Sequence, residues 1–168
     1  HEEDFSMSNT STSSASYSIK VANSILDHFK SKNYSYDFDP EKGIITTAFP
    51  TDSKIGQVDI RIRFFADGYI SHTTTRISAD KESRAKAAEY LTRANYGLHN
   101  GNFEMDFRDG EIRYKVFCRS GDVALNERQI TDSFILPIVE FDTYGNDLLA
   151  VLFGMKEPDE AIKDAESK

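Results

Sequence analysis

In the stretch Val-Asp-Ile-Arg-Ile-Arg-Phe, residues 58–64, every second side chain is apolar and the side chains between them are charged. Because successive side chains of a β-strand point to opposite faces of a sheet, this alternation predicts a strand with one buried and one solvent-facing side. The Asp67-Gly68 turn should lead into a partner strand at about residues 69–77. The sequence leaves two registers open, with Ile70 opposite either Phe65 or Phe64. We favour Phe64, because that register keeps the large apolar side chains on one face.

Three other segments have the apolar spacing of amphipathic helices. The first covers about residues 18–32. The second is predicted to begin at an N-cap, Ser78, and to end at Asn100-Gly101. The third runs from about residue 126 to residue 153, and Pro137 lies inside it, so we expect a kink or two abutting helices.

Two further hairpins are predicted, one at residues 34–49 and one around the Asp109-Gly110 turn. A two-residue turn in the second hairpin sets its register, and opposite charges support that register on the polar face. The predicted cross-strand pairs are Phe107–Ile112, Met105–Tyr114 and Phe103–Val116 on one face, and Asp106–Arg113 and Glu104–Lys115 on the other.

These elements predict one α+β domain, since 168 residues are enough to bury a sizeable core. We expect a two-layer sandwich in the order α-β-β-β-β-α-β-β-α, with an antiparallel sheet that the helices cover on one face only. The domain is placed at residues 17–155, between a flexible segment at 1–16 and a charged tail at 156–168. That tail is expected to be a short exposed helix or disordered. Whether residues 1–6 are native stays open, since Met7 could begin the native chain.

The formal net charge of −8 and the single cysteine limit the classes of function and location. Nucleic acids and anionic membranes attract basic proteins, so an acidic chain is a poor general candidate for either partner. Cys118 has no second cysteine with which to form a disulfide, and no apolar stretch is long enough to span a membrane. We therefore expect a cytoplasmic protein.

No residue pattern indicates catalysis, a metal or a cofactor. Glycine-rich phosphate loops are missing from the sequence, and its histidines do not have the spacing of metal ligands. Cys118 shares the core-facing phase of its strand, which favours an inert buried thiol. Glu104 and Asp106 lie opposite basic residues, which should lower their pKa values and keep both ionised. The four histidines are His1, His28, His72 and His99.

The candidate binding residues lie on the charged side of the predicted sheet. Phe65 and Phe117 are apolar residues on an otherwise polar face, and exposed aromatic side chains in such a place indicate a protein contact. Several arginines share that face. The candidate protein-contact residues are Phe65, Phe117, Arg61, Arg63 and Arg113.

The run from Leu91 to Cys118 resembles the YbjN family of bacterial sensory transduction regulators. The closing helix, which ends at residues 148–154, is similar too, so the likeness covers about Tyr17 to Gly154. The resemblance implies a fold similar to that of type III secretion chaperones, often dimeric, which hold a partner polypeptide. It supplies no catalytic residue. The shared features are Asn95, Gly101, Phe103, the Asp109-Gly110 turn and Tyr114.

These observations predict a non-enzymatic protein-binding module, chaperone-like or regulatory, that forms a homodimer. One alternative is a small-molecule-sensing or enzymatic domain with a pocket near Tyr114, Cys118 and His72. Another is weak nucleic-acid binding through the arginines of the sheet, with Phe65 and Phe117 as stacking aromatics. Acidic residues dilute that basic surface, so a protein partner of unknown identity is favoured.

Overall fold

The structure, a computed structural model, describes residues 16–168. The α+β class and the predicted order of elements are confirmed, with one additional helix at the C-terminal end. The expected flexible segment lies outside the described residues except for Ser16, as does Met7. The elements are α1 (Ile19–Ser31), β1 (Asp37–Asp39), β2 (Ile44–Pro50), β3 (Gln57–Phe65), β4 (Gly68–Thr75), α2 (Arg84–Gly97), β5 (Asn102–Met105), β6 (Ile112–Arg119), α3 (Glu127–Leu152) and α4 (Pro158–Glu166).

The six strands form one antiparallel sheet in the order β1-β2-β3-β4-β6-β5. Helix α3 packs on β3, β4 and β6 in the middle of the sheet, with α1 and α2 packed against it. Along β3, buried apolar residues alternate with exposed charged ones, as predicted. The helices therefore cover one face of the sheet, and none of the described helices covers the other.

The core lies between the sheet and α3. Phe134 of α3 is fully buried, and its ring centroid lies 4.9 Å from that of Phe29 on α1 and 5.7 Å from that of Phe49 on β2. Farther along the helix, the Phe141 ring lies 5.3 Å from that of Phe103 on β5. Aromatic pairs of this kind contribute about 0.5–1.5 kcal/mol each beyond their burial. These contacts fix α3 to both ends of the sheet.

Helix α3 continues through Pro137 as one helix, which excludes two abutting helices, one of the two expected outcomes, and leaves a kink as the other. A proline inside a helix cannot donate the usual backbone hydrogen bond. Phe134 and Phe141 are buried on either side of it, and their packing holds the two halves in one helix. The helix begins at a capping box, in which Asn126 and Gln129 each accept a backbone N–H of the other.

Helix α2 begins later than predicted, at Arg84 rather than just after Ser78. The segment before it is held elsewhere, because the Ala79 backbone N–H donates to the Gly110 carbonyl at 2.9 Å. The Asp80 carboxylate then accepts a hydrogen bond from the Ser83 backbone N–H at 2.8 Å. The prediction of Ser78 as the N-cap was therefore wrong, since a tertiary contact displaces the start of the helix.

The β3–β4 hairpin adopts neither of the two registers that the sequence left open. A two-residue turn at Ala66-Asp67 places Ile70 opposite Arg63. Tyr69 therefore points into the core, where its hydroxyl donates to the Gln129 carbonyl at 2.7 Å. The favoured register was wrong because the buried side of β4 is mostly polar, so apolar alternation did not identify it. The other buried residues on that side are Ser71, Thr73 and Thr75.

The β5–β6 hairpin is shifted by two residues from the predicted register. Met105, and not Phe107, lies opposite Ile112, and Glu104 consequently faces Arg113. The chain reverses through a longer loop than the two-residue turn we expected. A shift of two residues leaves each residue that stays in a strand on its predicted face, so the alternation pattern fits both registers equally well. Phe107, predicted to face the core, instead lies in the loop and is 59% exposed.

The charged tail is a helix with one buried side, and the expectation of an exposed helix or disorder at residues 156–168 was wrong. Helix α4 packs on α2 and α3. Asp147 of α3 is only 4% exposed and accepts hydrogen bonds from Lys156 and Lys168, both at 2.9 Å. The buried apolar residues of α4 are Pro158, Ala161, Ile162 and Ala165.

Candidate functional site

The side of the sheet opposite the helices, called the outer face below, carries the candidate residues. The structure places all five predicted contact residues on it, because they occupy alternate positions on β3 and β6. The outer-face residues of the four central strands are Ile44, Thr46, Ala48 and Pro50 on β2, Gln57, Asp59, Arg61, Arg63 and Phe65 on β3, Gly68, Ile70, His72 and Thr74 on β4, and Arg113, Lys115, Phe117 and Arg119 on β6.

Phe117 is the most exposed large apolar side chain of the outer face, at 52%. Ile70 lies directly between it and Arg63 in one cross-strand row. The Arg119 guanidinium lies 5.9 Å from the centroid of the Phe117 ring, and that of Arg63 lies 5.3 Å from the centroid of the half-buried Phe65 ring. Such cation–π contacts contribute about 0.5–1 kcal/mol at exposed sites. Each predicted aromatic residue therefore has an arginine beside its ring.

The basic residues of the outer face differ in how far they are paired. Arg113 and Lys115 both donate to the Glu104 carboxylate at the β5 edge, and the Arg113 Nε–Glu104 Oε2 distance is 2.8 Å. Arg61 and Arg63 form no ion pair with any residue from 16 to 168. The outer face thus has positive charge that the described part of the chain leaves uncompensated.

Glu104 and Asp106 are held ionised, as predicted, although their partners differ from those expected. Partial burial would raise the pKa of Glu104, but hydrogen bonds from Lys115 and Arg113 bring it below its ordinary value. Hydrogen bonds from Arg108, and not from Arg113, lower the pKa of Asp106 to about 2. A general acid needs a raised pKa, so neither carboxylate is suited to that role.

His72 lies between Arg61 and Lys115 near the middle of the outer face. Burial lowers the pKa of its imidazole, and the positive charges of Arg113, Lys115 and Arg61 lower it further, against the opposing effect of Glu104. The imidazole is therefore neutral at neutral pH. The positive charge of the outer face comes from its arginines and lysine alone.

The three residues of the alternative pocket do not converge. Tyr114 and Cys118 point towards the helices, whereas His72 points away from them. The Tyr114 hydroxyl donates to the Asn100 carbonyl at 2.5 Å, and the Cys118 Sγ accepts from Gln129 Nε2 at 3.6 Å. Burial raises the pKa of the Cys118 thiol, which keeps it protonated and weakly nucleophilic.

A groove of about 740 Å³ runs along the edge formed by β1 and β2. Asp37 and Asp59 are the two carboxylates that line it. Arg76 donates to Asp59 at 2.7 and 3.0 Å, and this pairing keeps the Asp59 pKa below its ordinary value. The lining residues contain no nucleophile with an adjacent base. Over the described part of the chain, no group of three or more His, Cys, Asp or Glu side chains is placed to hold a metal.

Ile70 and His72 belong to the outer face but were not expected there. Their outward orientation follows from the β3–β4 turn, since a two-residue turn sets which β4 side chains face outwards. The common occurrence of two-residue turns in hairpins was the signal that could have placed them.

Comparison with known proteins provides no relative for this chain, because no family model and no curated protein matches it. Of the helices within residues 16–168, none has the length and apolar character needed to cross a membrane. The properties of the outer face are therefore the basis for any functional assignment.

Proposed function

We propose that the protein is a non-enzymatic, cytoplasmic protein-binding module, chaperone-like or regulatory, that binds its partner on the outer face. The observation that carries the proposal is a sheet face left uncovered by the described helices, on which Phe117 is 52% exposed beside Ile70 and Arg119. Aromatic residues and arginine are enriched in the centres of protein interfaces, and they supply most of the binding free energy there.

A chaperone-like role suits the shape of this surface. Four neighbouring strands at about 4.8 Å spacing present a broad, shallow face, which is better fitted to an extended segment than to a small molecule. The resemblance to the YbjN family supports the same proposal, because the fold it implies holds a partner polypeptide. The observed α+β sandwich is compatible with that implied fold.

Weak nucleic-acid binding is the second candidate function, because Arg61, Arg63 and Phe117 could contact a single strand. The formal net charge of −8 opposes it, since the long-range field of an acidic protein repels phosphates. Filter binding at low salt measures this function directly. We expect no retention of a single-stranded oligonucleotide.

Affinity capture from native lysate tests the proposed function by comparing two double variants. Phe65→Ser with Phe117→Ser removes the aromatic residues of the outer face, whereas Tyr96→Ser with Phe153→Ser removes two exposed aromatic residues of the helical layer. We expect the first variant to lose captured proteins that the second retains. Phe65 is half-buried, so Phe117→Ser alone and a thermal unfolding midpoint for each variant separate loss of binding from loss of fold. Capture of the same proteins by both double variants would refute the proposal.

A further inference from the structure

Charge is distributed unevenly between the outer face and the rest of the molecule. The central strands β2, β3, β4 and β6 carry five basic residues there but one acidic residue, Asp59, although the whole chain has a formal net charge of −8. A basic surface on an acidic protein attracts anionic groups to that surface and not to others. The five basic residues are Arg61, Arg63, Arg113, Lys115 and Arg119.

Much of this positive charge is available to a partner. Glu104 faces two basic residues but can neutralise one charge. Asp59 is occupied by two hydrogen bonds from Arg76, which lies beyond the end of β4. Arg61 and Arg63 have no acidic partner among the residues that the structure describes. A guanidinium donates two parallel hydrogen bonds to a carboxylate, so carboxylates are suitable ligands for these two arginines.

The spacing of basic and apolar side chains matches an extended polypeptide. Arg61 and Arg63 lie two residues apart on β3, which places them about 6.8 Å apart along the strand. Ile70 and Phe117 follow Arg63 across the sheet in one row. An extended peptide presents every second side chain to the same side at the same spacing of about 6.8 Å. Ile70 and Phe117 lie about one and two strand spacings from Arg63, roughly 4.8 and 9.6 Å. A peptide that crosses the strands can therefore place one carboxylate beside Arg61 and Arg63, and its next same-side apolar residue, about 6.8 Å further on, over Ile70 and Phe117.

A second copy and a nucleic acid fit this surface less well. Two copies stacked through their outer faces would place two sets of central strands, each with five basic residues and one acidic residue, against each other. A nucleic-acid strand has a charge at every nucleotide, and it would pass over Asp37 and Asp39 at one edge or Glu104 at the other. A peptide can confine its carboxylates to the central strands.

We infer that the outer face binds an extended acidic segment of a protein that crosses the strands, with a carboxylate paired to Arg61 and Arg63 and the next same-side apolar residue packed on Ile70 and Phe117. This inference rests on the proposed function and adds the chemical class of the partner. It does not require a conformational change, because the contributing side chains already share one face of the sheet.

Fluorescence anisotropy with labelled synthetic peptides tests the inference on the full chain. The probe is a repeat of Glu-Ser-Phe-Ser about twelve residues long, which places Glu and Phe alternately on one side of an extended chain. Its controls replace every Glu by Gln or by Lys. We expect the Glu peptide to bind about tenfold more tightly than the Gln peptide, and the Lys peptide to bind more weakly still. Binding of the Glu peptide should weaken as salt rises from about 50 to 500 mM.

Two double variants with the same change in net charge locate the site. Arg61→Glu with Arg63→Glu alters the outer face, and Lys81→Glu with Lys163→Glu alters exposed positions in the helical layer. We expect the first to weaken binding of the Glu peptide by about tenfold or more, and the second by less than about twofold. All four positions are exposed, and thermal unfolding midpoints check that both variants remain folded.

Equal binding of the Glu and Gln peptides, or equal loss in the two double variants, would overturn the inference. If lysate capture still depends on Phe117 in that case, the proposed protein-binding function stands and the acidic partner class alone is wrong. Tighter binding of a thymidine oligonucleotide than of the Glu peptide would overturn both, because the outer face would then be a nucleic-acid site.

Discussion

Thr73 and Thr75 lie two residues apart on the buried side of β4, yet their hydroxyls have different surroundings. The Thr75 Oγ1 donates to the Ile77 carbonyl at 2.6 Å. The Thr73 side chain is fully buried, and its hydroxyl has no hydrogen-bond partner within residues 16–168. Valine has nearly the same shape as threonine but no hydroxyl. We therefore predict that Thr73→Val raises the free energy of unfolding and that Thr75→Val lowers it.

The magnitudes follow from what each substitution removes. A buried hydroxyl without a partner costs about 1–3 kcal/mol, so Thr73→Val should stabilise the fold by about 1 kcal/mol or more. Thr75→Val removes a hydrogen bond and leaves the Ile77 carbonyl without its donor, which should destabilise by about 1–2 kcal/mol. In a domain of this size, each kcal/mol shifts the thermal midpoint by about 2–4 °C. The two variants should differ by at least about 4 °C.

Urea unfolding followed by far-ultraviolet circular dichroism measures both free energies, and a common slope against urea concentration shows that the two variants unfold alike. The two substitutions make the same replacement of a hydroxyl by a methyl group on the same face of one strand, so each serves as the control for the other. Destabilisation of both variants by similar amounts would refute the argument. It would mean that the Thr73 hydroxyl is satisfied in the protein.

Two further predictions concern acid stability and assembly. Burial would raise the pKa of Asp147, but hydrogen bonds from Lys156 and Lys168 hold it below the ordinary value of 3.8. A folded-state pKa below the unfolded one stabilises the fold above the unfolded pKa, and this contribution is lost as pH falls through the folded pKa. In Asp147→Asn, the free energy of unfolding measured in urea should therefore fall less steeply as the pH drops below about 4. An unchanged pH dependence of that free energy would contradict this. We expect light scattering to give the mass of a homodimer. Arg61→Glu should leave that mass unchanged, because the outer face repels its own copy and so does not form the dimer interface. A strictly monomeric mass at high concentration would exclude the dimer.

The sequence predicted the strands better than it predicted their pairing. The faces of β3, β5 and β6 were correct because a residue's face depends on whether its position is odd or even within the strand. The β5–β6 register was wrong by two residues, and Met105 opposite Ile112 fits the apolar pattern as well as Phe107 does. The two registers differ only in the length of the loop between β5 and β6. That length depends on contacts such as the one between Ala79 and Gly110, which no local pattern encodes.

The C-terminal helix was misjudged for a different reason. Helix α4 has a short apolar stripe among many charges, and such a stripe alone does not show whether a surface exists to cover it. The buried Asp147 on α3 and the side of α2 that α4 covers supply that surface. A carboxylate within an apolar stretch of α3 was the available signal, since a buried charge needs a partner and lysines follow it in the chain.

The continuity of the outer face depends on β4, the strand whose register the sequence misplaced. With Ile70 and His72 pointing outwards, apolar and basic side chains extend without interruption from β3 to β6. In the register with Ile70 opposite Phe64, β4 would present its other side outwards. The outer-face side chains of β3 and β6 would then be separated by Tyr69, Ser71 and Thr73. The Thr73→Val and Thr75→Val pair therefore tests more than stability, because opposite effects require both residues to be buried. Since a strand cannot bury both of its faces against one helical layer, that result would also fix Ile70 beside Phe117 on the proposed binding surface.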